Sequence, residues 1–197
     1  MKTHALLAIL LLTASLLACE KSPPPAPAFH ATDITGAGFA RDFELPDHNG
    51  QTRTLADFRG KVVAIFFGYT HCPDVCPTTL SDFALALKSM GADASKVQVL
   101  FITLDPERDT PALLKQFVPA FNPTFLALYP NGDQLKRVTG EYKVVHEKTA
   151  TKGDDGYLID HSAGTYVYDP QGRLRLLMPY GSQAGDIARD LKILLAQ

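Results

Sequence analysis

Two kinds of hydrophobic pattern alternate along the chain. Val62-Val63-Ala64-Ile65-Phe66-Phe67, within Lys61 to Gly68, is a continuous apolar run with the length and composition of a buried strand, and Val97 to Leu104 reads as another buried strand. Between them, Leu80, Phe83, Ala84 and Leu87 share one face of a helix predicted over Pro77 to Met90, with Gly91 as its stop. Thr110-Pro111 opens a second helix that runs to Val118, with proline at the first helical position. A strand is expected over Phe125 to Tyr129, a short helix over Gln134 to Tyr142, and an amphipathic helix over Gly185 to Leu195. Phe43-Glu44-Leu45 and Arg53-Thr54-Leu55 flank Asn49-Gly50, a strong hairpin signal. Thr165 to Tyr168 and Leu174 to Met178 form a second hairpin across the turn Asp169-Pro170-Gln171-Gly172. Lys143 to Tyr157 is polar, contains glycine and shows no period, and reads as a loop. Strands and helices in this order, without internal repeats, make a single α/β domain.

Composition adds exclusions. With 197 residues, 46% hydrophobic and 20% charged, the chain can build a packed core and is not disordered throughout. A formal net charge of −2 leaves no electrostatic footprint for nucleic acid, and none is expected as a partner. Ala5 to Ala18 is an uncharged, largely apolar run after Lys2. It is shorter than the roughly 20 residues of a membrane-spanning helix and reads as the hydrophobic part of a signal peptide. The run ends in Leu16-Leu17-Ala18-Cys19, which resembles the lipobox of bacterial lipoproteins. That resemblance implies cleavage before Cys19 and acylation of its thiol. The expected organisation is a signal peptide over 1–18, a lipidated Cys19 with a proline-rich tether over 19–35, and a folded domain over 36–197. The tether contains Lys21-Ser22-Pro23-Pro24-Pro25-Ala26-Pro27, which favours extended polyproline geometry. The expected location is the bacterial cell envelope, anchored by lipid to a membrane and facing the periplasm or the exterior.

If Cys19 carries lipid, two of the three cysteines remain as thiols, Cys72 and Cys76. They lie in Phe67-Gly68-Tyr69-Thr70-His71-Cys72-Pro73-Asp74-Val75-Cys76-Pro77, between a buried strand and a helix. This is the strand-end edge that ligand sites favour in open α/β sheets. Pro73 keeps Cys72 out of helical geometry, and Pro77 suits a first helical position, so Cys76 falls near the N-cap. The helix dipole there is expected to favour the Cys76 thiolate. The spacing Cys-x-x-x-Cys is one residue wider than that of thioredoxins. It allows a Cys72–Cys76 disulfide or one metal ion between two thiolates, copper(I) or zinc by softness, and a third ligand is then needed.

FGYTHCPDVCP, followed by Thr103-Leu104-Asp105-Pro106-Glu107-Arg108-Asp109-Thr110-Pro111 and later Asp160-His161-Ser162, closely resembles the Sco (SenC-type) family over roughly residues 36–197. These are membrane-tethered copper proteins that assist assembly of cytochrome c oxidase. The resemblance implies a thioredoxin-like domain with an N-terminal β-hairpin. It implies copper, as Cu(I) or Cu(II), on Cys72, Cys76 and His161. It also implies a client in oxidase subunit II, with other copper chaperones as further partners. Asp160 is a candidate to orient the His161 imidazole or to meet a partner. The Lys143 to Tyr157 loop precedes His161 and could move to bring it to the metal.

The remaining residues read as structural. His71 is a bystander beside Cys72, and His30, His48 and His146 read as surface residues. Asp74, inside the motif, tunes the site, meets a partner or only caps the turn. In Asp105 to Pro111, the first two residues break the strand, Asp109 or Thr110 caps the helix and Arg108 pairs with neighbouring acids. Two enzymatic readings stand beside the copper metallochaperone. One is a thiol-disulfide reductase that uses the redox thiol pair Cys72 and Cys76 on the client's copper-ligand cysteines. The other is a peroxiredoxin-like peroxidase through Cys76. Peroxiredoxins carry threonine three residues and proline seven residues before the reactive cysteine, where this chain has Pro73 and Tyr69.

Overall fold

The computed structural model describes residues 28–151 and 156–197. The expected signal peptide, the Cys19 acylation site and most of the tether lie outside the described residues. A six-stranded sheet forms the centre, built from β1 (Thr32–Asp33), β4 (Val62–Gly68), β5 (Val97–Thr103), β6 (Leu126–Leu128), β9 (Thr165–Tyr168) and β10 (Leu174–Met178). Its order is β1-β10-β9-β4-β5-β6. β4, β5 and β6 run parallel, and β9, β10 and β1 add antiparallel partners. Every residue of β4 and β5 is buried, as befits central strands covered on both faces; β4 is apolar throughout, and β5 also buries Gln98 and Thr103, whose polar groups are hydrogen-bonded.

Four helices cover the sheet: α1 (Val75–Met90), α2 (Pro111–Phe121), α3 (Gly132–Tyr142) and α4 (Ala184–Leu195). α1 and α2 are the crossovers of the parallel β4-β5-β6 unit and share a layer with α4, which packs along α1. Alternation along β4 sets the two faces. Phe66 turns toward Phe101, which stacks on Phe117 of α2 at 5.9 Å between ring centroids. Phe67 turns the other way, onto Tyr142 of α3 at 5.2 Å. Helix ends follow the local sequence. Thr110 caps α2 by accepting from the Leu113 N–H at 3.2 Å, with Pro111 following, and Asn131 and Gln134 form a capping box on α3.

The N-terminal hairpin is β2 (Glu44–Pro46) with β3 (Thr52–Thr54), and Gly50 supplies the positive φ of its turn at 82°. This is the α/β, thioredoxin-like arrangement expected of the chain, with three differences. The sheet takes in residues before position 36, because β1 pairs with β10 and Asp190 accepts the Ala31 N–H at 2.8 Å. His48 is buried rather than on the surface. Its Nδ1 accepts the Ala127 N–H at 3.0 Å, which ties the hairpin turn to β6. The expected loop from Lys143 to Tyr157 contains β7 (His146–Ala150), which pairs antiparallel with β8 (Tyr157–His161) as a separate two-stranded sheet. The exposed residues of β7 give it no apolar alternation, and its partner strand begins at Tyr157.

Candidate metal centre

β4 ends at Gly68, at the carboxyl edge of the sheet, and α1 begins at Val75 after a six-residue loop. Cys72 lies in the intervening loop, half-buried, with its N–H bonded to the Tyr69 carbonyl at 3.3 Å. Cys76 is fully buried within the first turn of α1, which starts at Val75, two residues before the expected Pro77. Asp74 is the N-cap residue but makes no side-chain cap bond, and its Oδ1 accepts from Thr78. The Cys72 sulfur takes the place of a cap and accepts the Cys76 N–H at 3.5 Å.

Gly68 makes this arrangement possible. A Cβ there would stand 2.7 Å from Cys76 Sγ and 2.9 Å from both Phe66 and Phe101. The glycine lies inside the recognised motif, but it has no chemistry of its own to mark it, and only the close approach shows its role.

His161 comes from β8. Alternation turns Tyr157, Ile159 and His161 toward the body and leaves Leu158 and Asp160 exposed. The His161 ring lies edge-on to Phe66 and Tyr69, at 6.2 and 6.1 Å between centroids. Nδ1 sits 3.0 Å from the Ser162 carbonyl oxygen, which only accepts, so Nδ1 carries the proton. That leaves the Nε2 lone pair toward the cysteines, 3.7 Å from Cys76 Sγ. Asp160 does not orient this ring. Its carboxylate faces the other side of the hairpin and accepts the Thr149 hydroxyl at 2.7 Å.

The ligand atoms of Cys72, Cys76 and His161 all lie within 4.8 Å of one another. They open onto a cleft of about 230 Å³ lined by Tyr69, Pro73, Leu158 and Ala163 among others. The two thiols differ. The Cys72 thiol is lowered, first by the hydrogen bond it accepts from Cys76 and then by the backbone N–H groups of Asp74 and Cys76, against the effect of burial. The Cys76 thiol is pushed up, first because it donates to Cys72 and then by burial. Cys72 therefore ionises first, which reverses the expectation drawn from the helix dipole. The helix's first N–H groups reach the Cys72 sulfur, while the Cys76 thiol donates to that sulfur and is buried. Burial also speaks against Cys76 as a peroxide-reactive thiol.

Among the described residues, the other histidines do not join this cluster. His71 is exposed, with Nδ1 3.0 Å from Thr70 Oγ1 and 3.8 Å from Asp109. His30 is exposed beside Asp186, and His146 is half-buried opposite His161 in the hairpin register. The Asp105 to Pro111 segment does more than end β5. Buried Asp109 accepts from the Thr70 N–H at 3.1 Å and from the Thr103 hydroxyl at 2.6 Å, which anchors the cysteine loop to β5. Burial raises its carboxyl above the usual range, against the pull of these bonds. Arg108 pairs with Asp105 and reaches across to Tyr157 of β8. Position alone could not assign these contacts, because their partners lie 39 and 49 residues away.

Two thiols at a strand–helix junction and an imidazole from an inserted hairpin, on a thioredoxin-like sheet, define a domain built for soft-metal and thiol chemistry. The chain belongs to the SCO1/SenC family, whose model matches residues 31–196. It is 40% identical over 145 residues to the mitochondrial SCO2 homolog of Bos taurus, covering 73% of this chain and 53% of that protein. It is also 40% identical over 132 residues to an SCO2-like protein of Rickettsia prowazekii, covering 66% of this chain and 64% of that one. The matched part thus spans about half to two thirds of these curated relatives. Among solved structures, Bradyrhizobium japonicum ScoI with copper bound matches with a TM-score of 0.70 and 42% identity, over 77% of this chain and 96% of that one. Apo Sco1 from Thermus thermophilus matches with a TM-score of 0.73 and 35% identity, over 85% and 97%.

Proposed function

We propose that this protein is a copper metallochaperone that assists assembly of the dinuclear copper centre of cytochrome c oxidase subunit II, with Cys72, Cys76 and His161 holding the metal. One observation carries the reading: the three donor atoms lie within 4.8 Å of one another, and the Nε2 lone pair is free because Nδ1 is committed to Ser162. Two soft sulfurs select copper(I), and the imidazole accommodates copper(II). The cleft beside Cys72 gives an incoming ligand access, so copper can leave by exchange rather than by unfolding of the site. Copper would arrive from another copper chaperone and leave to the client. The copper-bound relative from Bradyrhizobium japonicum supports this choice of metal.

The same sulfurs are close enough for a reversible Cys72–Cys76 disulfide that excludes copper. An acylated Cys19 would hold the domain at a membrane of the bacterial cell envelope, facing the periplasm or the exterior. Among the described residues, no helix is long and apolar enough to cross a membrane. Fractionation of a Cys19→Ala variant tests the anchor, and unchanged processing and membrane retention would refute it.

Anaerobic copper titration tests the main reading. Reduced protein should bind one copper per chain, and Cys72→Ser or Cys76→Ser should abolish tight binding. His161→Ala should change the copper(II) absorption and electron-spin spectra, and identical spectra would remove His161 from the site. In a deletion strain, complementation by His161→Ala that fails at limiting copper and recovers at excess copper supports delivery. Full oxidase activity under both conditions would favour a thiol-disulfide reductase.

A further inference from the structure

We infer that Arg108 is a positioning residue of the metal centre, coupling the segment after β5 and the Tyr69 ring of the cysteine loop to the hairpin carrying His161. The proposal rests on the metal-site reading above, but its first test needs no metal.

The need for such a residue follows from topology. β7 and β8 form a two-stranded sheet with no hydrogen-bonded pairing to the central sheet. An isolated hairpin of this kind is marginally stable, and its register is set by what its inward face packs against. A slip of one residue in β8 would turn Asp160 inward and His161 outward. Contacts outside the hairpin ladder must therefore fix which side chain meets the cysteines.

Arg108 supplies those contacts from three directions. Its Nη1 donates to the Tyr157 carbonyl at 2.9 Å, at the first residue of β8. Its guanidinium carbon stands 3.7 Å from the centroid of the Tyr157 ring and 5.9 Å from that of Tyr69, whose ring flanks His161. Asp105 holds the head in place through an Nε–carboxylate bond, and its other oxygen accepts the Tyr157 hydroxyl at 2.7 Å. Lys148 pairs with Glu107 at 2.7 Å and also lies over the Tyr157 ring, so β7 is tied to the same segment. The Nη2 group is buried without a hydrogen-bond partner. Its desolvation is tolerated where the aromatic faces offset part of it. Lysine offers neither the planar fork nor the stack, so it cannot make the carbonyl, carboxylate and ring contacts together.

The test begins on the metal-free, reduced protein. Nitrogen-15 spectra report the His161 tautomer, and hydrogen exchange reports protection of the β8 amides. Arg108→Gln should average the two His161 tautomers and lower β8 protection by at least about tenfold, while protection in β4 and β5 is unchanged. Arg108→Lys should behave like Arg108→Gln. Tyr157→Ala, which breaks the bridge from the hairpin side and leaves the Asp105–Arg108 pair intact, should reproduce the effect. Tyr157→Phe keeps the ring and the carbonyl contact and should stay close to wild type. With copper(II), Arg108→Gln should take on the spectrum of His161→Ala and lose about 10–100-fold in affinity, as is typical when a ligand's supporting partner is removed. Unchanged His161 signals in Arg108→Gln would overturn the proposal. So would a uniform loss of protection across β4, β5 and β8 in both Arg108→Gln and Tyr157→Ala, which is the mark of a merely structural residue. A wild-type chain that binds no copper but shows the predicted metal-free changes would refute the function reading and leave the positioning role standing.

Discussion

Gly68→Ala should damage both stability and the metal centre, and the structure gives the scale. A Cβ at position 68 would sit 2.7 Å from Cys76 Sγ, where ordinary contact begins at 3.4 Å, so the sulfur must retreat by about 0.7 Å. Retreat is obstructed, because Cys76 is fully buried in the first turn of α1 and the other two neighbours, Phe66 and Phe101, are buried rings at 2.9 Å. Overpacking of this kind costs about 1–3 kcal/mol. Alanine recovers about 0.4–1 kcal/mol by restricting the unfolded chain, since Gly68 does not occupy the left-handed region. Strain therefore wins by roughly 1–2 kcal/mol, which for a domain of this size lowers the melting temperature by about 2–8 °C. The displaced sulfur should also weaken copper binding by more than a stability loss of that size explains. The assays are thermal unfolding of the reduced protein and copper titration, each beside a destabilised control such as Thr110→Ala. A Gly68→Ala protein with wild-type melting and wild-type copper affinity would refute the packing of Cys76 against β4.

Three further outcomes follow from local contacts. Thr110→Ala removes the acceptor for the Leu113 N–H at the start of α2 and should cost about 1 kcal/mol, read by denaturant titration, with copper binding unchanged. His48 has its pKa lowered, chiefly by burial, so the unfolded chain binds the proton more readily. The stability it contributes is present above its unfolded pKa, near 6.5, and is lost as pH falls through the folded value. A melting series below pH 7 should show that loss, and His48→Gln should flatten it. Asp109→Ala leaves the Thr70 N–H and the Thr103 hydroxyl without their acceptor and should cost about 1–3 kcal/mol. It should also raise hydrogen exchange in the cysteine loop more than in α4.

The sequence by itself determined the parts that local patterning controls. β4 and β5 were legible because strands covered on both faces are largely apolar, without the alternation of a half-exposed strand. The N-terminal hairpin, the proline start of α2 and the turn before β10 were legible because each needs particular residues at particular backbone positions. The spacing of Cys72 and Cys76 placed a thiol pair at the strand–helix edge, and the family resemblance pointed to His161. Only the tertiary structure decided how these pieces meet. It placed the first ionisation on Cys72, because the Cys76 thiol donates to the Cys72 sulfur and is buried, while the helix's first N–H groups reach the other sulfur. It buried His48 against β6, a contact between residues 79 apart. It turned an unpatterned polar stretch into the hairpin that carries His161. Little of β7 is buried, so no apolar period marked it, and the groups that hold the hairpin in place, Asp105, Arg108 and Tyr157, meet across about fifty residues. Sequence periodicity reports which face of an element is buried. It does not report which distant side chain that face will meet, because that is settled when the layers pack and polar groups leaving water take the partners then within reach.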